Sequence, residues 1–345
     1  MALELHASTA AQISEIAGIL CDAFNMPRGS GFADARLLQW KYFDAAALWD
    51  RPCSYLMTRA DALAAHCAVM PIRLRVDDRD PIDGVCFVDW ASARQTPYAG
   101  LLLKKRLMSD SELAIVTGGT DATRALIPKL GFRTLAAVET YARVIRPLTQ
   151  WRTRPHVRLW KDTARLVRNT AWSLAAGRNV SRDWKAERVD RFTETTCTVT
   201  VTMTLPEHKT DLLNYWLRCP SVKVEGYQIT KSGARCGHFL LSRVRGQARI
   251  ADLRLSSGDM RDWEMAYRLA TQTAAEDSMT CEVTALSAAP FSSAALASSG
   301  FRCRYTVPLS VYDPQRRLSS APPLLWSYID NDAAYLYDPS SPYST

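Results

Sequence analysis

The sequence predicts a mixed α/β (α+β) chain carrying the same fold twice in tandem, each copy a mostly antiparallel twisted sheet flanked by helices. Two echoes predict it. Leu130-Gly131-Phe132-Arg133 returns as Ser299-Gly300-Phe301-Arg302, each preceded by a short helical run and followed by strand-forming residues. Upstream, Leu37-Leu38-Gln39-Trp40-Lys41-Tyr42 is matched by Leu212-Leu213-Asn214-Tyr215-Trp216-Leu217-Arg218. Landmarks that recur in one order at nearly one spacing are the mark of a duplicated domain. With 345 residues and 47% hydrophobic side chains the chain can fill two cores of ordinary size. The expected division is a first domain over 1–147, a basic helical linker over 148–194 and a second domain over 195–345.

In the first copy, Leu3 to His6 reads as a strand, and Ser8-Thr9 cap a helix from Ala10 to about Phe24 with Ile13, Ile16, Ile19 and Leu20 on one face. A second helical segment runs through Trp40. Strands follow at Ser54–Thr58, Ala64–Met70, Ile72–Val76 and Gly84–Trp90, the last apolar enough to be central. Ala91 to Gly100 forms a turn into an amphipathic helix, Leu101–Met108; then come a strand at Leu113–Thr117, a helix at Ala122–Leu130 closed by Gly131, and a strand at Val138–Ile145. The second copy repeats this order with strands at Thr198–Met203, Val222–Thr230, Cys236–Val244 and Gln247–Leu255, the turn Ser256–Arg261, and a helix at Trp263–Glu276. It closes with a strand at Thr280–Leu286, a helix at Ser292–Ser299 and a strand at Arg302–Ser310. The tail from Pro322, with Trp326, Tyr328, Tyr335 and Tyr337, is too aromatic to be free and is expected to pack on a domain.

The net charge of +8 is concentrated: Trp151 to Arg191 holds eleven Lys or Arg against four Asp or Glu. Global basicity is thus a property of one linker and does not argue for a DNA-binding protein. Within it, Pro155–Gly177 is a basic amphipathic helix with Trp160, Ala164, Val167, Ala171 and Leu174 on one face and Arg158, Lys161, Arg165 and Arg168 on the other. A solvated helix packed on the two domains is the plain expectation, with contact to a membrane surface or an acidic partner as the alternative. Nine cysteines fall without CxxC spacing, five histidines suggest no nucleophilic triad, and no metal site is expected. No apolar run approaches the roughly 20 residues that span a bilayer, so a cytoplasmic protein is expected.

The order of elements, the Leu-Gly-Phe step and the turn Arg94-Gln95-Thr96-Pro97-Tyr98-Ala99-Gly100 entering a helix together resemble the GCN5-related N-acetyltransferase (GNAT) superfamily. In that family the turn has the form Q/R-x-x-G-x-G/A and holds the pyrophosphate of coenzyme A. Read from Arg94, Pro97 stands where the first glycine belongs; read from Gln95, the turn ends on Gly100 with Tyr98 at that place. The resemblance implies acetyl-CoA or another acyl-CoA as cosubstrate, a small-molecule amine as acceptor, and a cofactor site at Trp90, Arg94, Gln95, Thr96, Pro97, Tyr98, Ala99, Gly100 and Leu101. A helix entrance offers unpaired N–H groups and a positive dipole, so an anion is favoured there. In the second copy Asp259 sits in the corresponding turn and would oppose a pyrophosphate, which makes that copy degenerate.

Acyl transfer from a thioester needs a neutral amine, a donor to the developing oxyanion and a proton for the departing thiolate, but no protein nucleophile. Asp89, at the end of the central strand, is the expected general base, against the plainer reading of a turn-starting carboxylate. His66 is the substitute base, against a satisfied core histidine. Tyr98, Tyr141 and Asp121 are candidate proton donors or positioning groups, and Trp90 a candidate wall of the acceptor pocket. Besides an N-acyltransferase acting on a small metabolite or amino sugar, two readings stay open: an aminoacyl-tRNA-dependent transferase similar to the Fem family, and a noncatalytic binding or scaffold protein with decayed loops.

Overall fold

Alternating and helical apolar patterns resolve the first part of the chain nearly as expected. In the computed structural model, which describes residues 3–76, 79–155, 159–177, 179–194, 203–338 and 340–345, β1 (Glu4–Ala7) leads through a 3-10 turn into α1 (Ile13–Phe24). The next helical segment is irregular. After α2 (Ala35–Leu38), capped by Asp34, the chain widens into a π-helical stretch, Gln39–Asp44, before α3 (Ala45–Trp49). The wider turn brings Trp40, Lys41 and Tyr42 inward together, Tyr42 only 1% exposed and the Lys41 side chain 8%.

β2 (Ser54–Arg59), β3 (Ala62–Val76) and β4 (Ile82–Ser92) form an antiparallel meander. The sequence predicts two strands around Pro71, but β3 runs straight through it. The Val69 N–H points toward β2, donating to the Cys53 carbonyl, and by the two-residue period Pro71 points the same way. The last β2 pair is Ser54 with Ala68, so the missing proline N–H costs no bond of that ladder. Then follow α4 (Ala99–Ser109), β5 (Ala114–Thr117) and α5 (Asp121–Leu126). The helix expected to reach Leu130 stops short because Pro128 cannot continue the bonding pattern; a 3-10 turn, Pro128–Leu130, closes it on Gly131 at φ 83°.

The chain continues with β6 (Arg133–Val144), α6 (Pro147–Thr153), α7 (Leu159–Ala175), β7 (Trp184–Val189), β8 (Thr204–Pro206) and α8 (Thr210–Trp216). β9 (Lys223–Lys231), β10 (Ala234–Val244), β11 (Gln247–Leu255), α9 (Met260–Ala275), β12 (Glu282–Ser287), α10 (Pro290–Ser298) and β13 (Arg302–Tyr312) complete it. Of the strand expected at Thr198–Met203, all but Met203 lies outside the described residues. The second Gly-Phe step matches the first: Gly300 has φ 85°, and Phe132 and Phe301 are both buried.

Two compact units result, and they do not follow chain order. The first comprises Met1–Ala136, Cys219–Ser221 and Pro308–Ala321; the second comprises Ala137–Arg218, Val222–Val307 and Pro322–Thr345. In the first, the sheet order is β1-β2-β3-β4-β5, and the end of β13 pairs with β5 from Leu309↔Thr117 to Tyr312↔Ala114. In the second, the order is β6-β12-β11-β10-β9-β7. Each unit thus takes its last strand from the other half of the sequence, where the expected boundaries at 147 and 194 would have kept the halves separate. The aromatic tail belongs to the second unit, with Trp326 fully buried and the Tyr328 hydroxyl donating to Thr284 Oγ1 at 3.1 Å.

Candidate active site

In the first unit the two parallel strands β4 and β5 pair, among the described residues, only through Val85↔Ala114 and Cys86↔Ile115. At that level the β3–β4 ladder carries a bulge, Ala68 standing opposite Asp89 and Val69 opposite Phe87, which turns the end of β4. The edge of β4 from Phe87 onward therefore parts from its neighbour. The bulge also sorts the side chains. Phe87 and Trp90 join the apolar cluster of α4, whereas Val88 and Ala91 join that of α1 and Tyr42.

β4 runs into the turn and α4. Of the residues expected to cradle a pyrophosphate, Arg94, Gln95, Pro97 and Tyr98 are exposed, and Thr96, Ala99 and Gly100 are buried. Three amides are already engaged: Thr96 N donates to the Ala93 carbonyl at 3.0 Å, Ala99 N to the Thr96 carbonyl at 2.9 Å and Gly100 N to Ser92 Oγ at 3.0 Å. The Thr96 hydroxyl is also used, donating to the Ala64 carbonyl at 3.0 Å. The amides of Thr96, Ala99 and Gly100 thus build the turn itself. Leu101 packs on the α4 cluster. Gly100 is required by packing, since a Cβ there would lie 2.6 Å from Trp90 Nε1. That indole N–H is buried and has no hydrogen-bond partner among the described residues.

The helix entrance suits an anion. α4 has no side-chain cap and no acidic residue in its first turn. The matching helix of the second unit, α9, has Asp259 as its cap, accepting from Arg261 N at 2.9 Å, and Asp262 in its first turn, where Lys231 Nζ lies 2.7 Å from it. Two carboxylates already occupy that dipole.

Asp89 is 3% exposed and is held by the π-helical stretch: Lys41 Nζ and the Tyr42 hydroxyl both donate to Asp89 Oδ2 at 2.5 Å. Burial pushes its pKa up, but the Lys41 charge and the two hydrogen bonds outweigh burial and hold the carboxyl below its ordinary value. A clamped anion of this kind is poorly matched to removing a proton near neutrality. His66, on β3, is fully buried, and its Nε2 lies 3.0 Å from Ser54 Oγ. Burial lowers its pKa to about 4, with Asp89 opposing and Lys41 assisting. The imidazole is therefore neutral over the physiological range. Of the other candidates, Tyr98 is 48% exposed beside the turn. Asp121 is an exposed α5 residue paired with Arg124, and Tyr141 lies in the second unit, its hydroxyl donating to Glu139 Oε2 at 2.9 Å.

The second unit repeats the buried carboxylate, which sequence reading missed. Asp252 on β11 stands opposite Leu240 on β10, with His238 two residues before it, as Asp89 stands opposite Ala68 with His66 two residues before. His208 Nδ1 and His238 Nε2 lie 2.9 and 3.1 Å from Asp252 Oδ2, and Arg254 Nε donates to Oδ1 at 3.1 Å. His208 Nε2 is 2.7 Å from Asp330 Oδ1. Burial lowers the His208 pKa, but Asp252 and Asp330 reverse the sign and raise it, so this imidazole favours its charged form. A clamped central-strand carboxylate in both copies, including the one with the carboxylate-filled helix entrance, points to a structural anchor.

The group most out of place is Lys104. It is 1% exposed, on the buried face of α4 with Gly100, Leu103, Leu107 and Met108. Its Nζ lies 4.5 Å from the Trp90 ring centroid, 4.6 Å from that of Phe87 and 5.5 Å from that of Phe132, with no carboxylate paired to it among the described residues. Desolvation lowers its pKa to about 8, against small opposing effects of the Cys67 and Cys86 thiols. Sequence reading passed over it because Lys104-Lys105-Arg106 looks like a solvated run. The available signal was its place at i+4 from Gly100 and i−3 and i−4 from Leu107 and Met108. A separate cavity of about 240 Å3, lined by His6, Arg51, Tyr55 and Asp110 among others, lies against the C-terminal end of α4 and includes no residue of the turn.

Known solved structures share this fold. A GCN5-related N-acetyltransferase from Anabaena variabilis superposes with TM-score 0.60 at 11% identity, covering 93% of this chain and 75% of that one. A tandem GNAT protein from the clavulanic acid biosynthesis pathway gives 0.55 at 9% identity, covering 90% of this chain and 98% of that one. The chain has a tandem GNAT fold. The N-myristoyltransferase of Saccharomyces cerevisiae, solved with bound myristoyl-CoA, gives 0.56 at 11% identity over 90% of this chain and 82% of that one. No family model matches the sequence, and no curated protein does. No helix among the described residues is long and apolar enough to cross a membrane.

One pH effect follows from His66. A histidine whose folded pKa is depressed contributes stability that is complete above its unfolded value of about 6.5 and is lost as pH falls toward the folded value. The wild-type chain is expected to lose about 3 kcal/mol between pH 6.5 and 4 that His66→Gln does not lose, from the fall of that pKa to about 4. Denaturant titrations of both proteins across this range check it; parallel curves would remove His66 as the cause. The Asp89 contribution, with a depressed carboxylate pKa, begins to fall only below about pH 4.

Proposed function

We propose that the chain is an acyl-CoA-dependent N-acyltransferase that binds the thioester in its first unit and moves an acyl group, acetyl in the simplest case, to a primary amine of a small metabolite or amino sugar. The observation that carries this reading is the parting of β4 from β5 beyond Cys86↔Ile115 beside a helix entrance without acidic residues. A parted strand edge presents backbone donors and acceptors to an extended amide-bearing chain and to a developing oxyanion. The Arg94 side chain, the first turn of α4 and the buried indole N–H of Trp90 are the groups suited to the anionic and polar parts of coenzyme A.

In this reading the substrate amine attacks the thioester carbonyl and the C–S bond breaks. The ammonium of Lys104 passes its proton to the departing thiolate and recovers one from the nitrogen that has become an amide. A lysine with its pKa lowered to about 8 is better matched to a thiolate than a solvated one. Asp89, through Lys41 and Tyr42, positions the end of β4.

Isothermal titration with acetyl-CoA tests the reading. Micromolar binding at one site is expected, and no binding of any acyl-CoA would overturn it. Arg94→Glu, a change at an exposed residue, is expected to weaken binding by about tenfold with no change in melting temperature, since reversing a charge beside a pyrophosphate costs roughly 1–2 kcal/mol. Equal affinity of variant and wild type would move the anion site away from this turn.

A further inference from the structure

Helix α7, Leu159–Ala175, is packed with its polar side inward. Asp162, Asn169 and Ser173 are 4%, 1% and 4% exposed, whereas Trp160, Val167 and Leu174 are 69%, 65% and 77% exposed. Ala164 and Ala171, also exposed, lie between them, so one continuous apolar stripe faces outward along a helix about 25 Å long. This reverses the packing expected from the sequence, in which the apolar face was to be the covered one. The orientation is held by a bond to the neighbouring helix, Asn169 Nδ2 donating to Gln150 Oε1 on α6 at 2.8 Å. Within α7, Arg165 NH1 donates to Asp162 Oδ1 at 3.1 Å and Arg168 Nε and NH2 both donate to Asn169 Oδ1, at 3.1 and 2.9 Å. Turning the helix over would bury Trp160 and break the bond between Asn169 and Gln150.

We infer that this stripe docks on an anionic phospholipid surface. Charge complementarity selects the occupant. Lys161 is exposed beside Trp160, its Nζ 5.3 Å from that ring centroid, Arg152 is exposed on α6, and the stretch from Trp151 to Arg191 carries eleven basic residues against four acidic ones. An apolar stripe with an indole at one end and cations beside it matches the headgroup boundary of a bilayer, where the apolar face enters the acyl region and the cations meet lipid phosphates. A second copy of the same helix would set like charges against each other. The inference is independent of the acyl-transfer reading.

Sedimentation of the full chain with sucrose-loaded vesicles tests it, using phosphatidylcholine alone and phosphatidylcholine with about one third phosphatidylserine, near physiological salt. Binding to the phosphatidylserine vesicles is expected, weakened about tenfold or more by Trp160→Ser, Val167→Ser and Leu174→Ser combined, and weakened by Lys161→Glu with Arg152→Glu. Since the three apolar side chains are largely exposed, the melting temperature of the triple variant should match wild type, which separates lost docking from lost fold. Absent vesicle binding, equal binding to both vesicle types, or full binding by the triple variant would each overturn the inference. So would a concentration-dependent dimer in analytical ultracentrifugation that the triple variant abolishes, which would give the face to a second copy.

Discussion

Replacing Asp89 by Ala is expected to destabilise the first unit by about 3–5 kcal/mol, because it removes the carboxylate that neutralises a buried lysine. The Lys41 side chain is 8% exposed and the Asp89 side chain 2%, so water cannot take over the lost interaction without opening the core. Asp89→Asn should cost most of the same amount, since the amide keeps the shape but not the charge. Joint replacement, Lys41→Met with Asp89→Leu, should recover much of the loss, as paired buried charges exchanged for apolar groups of similar size are often near neutral. Denaturant unfolding of the four proteins, wild type included, measures these differences. Turnover per folded molecule is the second readout. A general base would lose about 10²-fold or more in turnover as Asn with the fold intact, and that result would return Asp89 to the chemistry.

Lys104→Met is expected to do the opposite: stability rises while catalysis falls. Holding a lysine at a pKa of about 8 instead of about 10.4 costs roughly 3 kcal/mol at pH 7, and Met fills the aromatic cage without that cost. The unfolded chain keeps the lysine protonated up to about pH 10.4, so wild-type stability rises with pH from about 8 to that value and the advantage of the variant shrinks over the same window. Turnover on any accepted amine should drop about 10²-fold or more, with acyl-CoA affinity nearly unchanged. A variant equally active and more stable would leave Lys104 as an unexplained burial, and Glu, Asn or a water chain at the thiolate would need to be sought. Arg at this position would keep a charge but cannot give up a proton near neutrality, so Lys104→Arg should be inactive too.

Much of the architecture is legible because its signals are local. The Gly-Phe steps name two left-handed helix ends, and β11 runs from Gln247 to Leu255 as alternation predicts. What the sequence hides is what each surface meets. The apolar face of α7 is plain in the sequence, but only the burial of Asp162, Asn169 and Ser173 and the bond of Asn169 to Gln150 show that the polar face is the covered one. Asp89 could be found by its place on the central strand, yet its partners Lys41 and Tyr42 come together through a π-helical stretch that no propensity announces. Lys104 was invisible for the converse reason: its residue type predicts solvent, and its helical position, which predicts burial, wins. The strand assignments at β6 and β13 were likewise beyond local signals, because either end could in principle have paired within its own half.

Residues emerge from the ribosome in order, N-terminus first, at roughly 5–20 per second. The first unit needs Leu309–Tyr312 beside β5, so its sheet stays one strand short until nearly the whole chain has been synthesised. For much of translation the outer edge of β5 has no partner from its own half, and an open edge of this kind is where chaperones bind and where neighbouring nascent chains can pair wrongly. A gene encoding this protein, cut at its apparent midpoint, is therefore expected to yield two products that each lack a strand of their sheet.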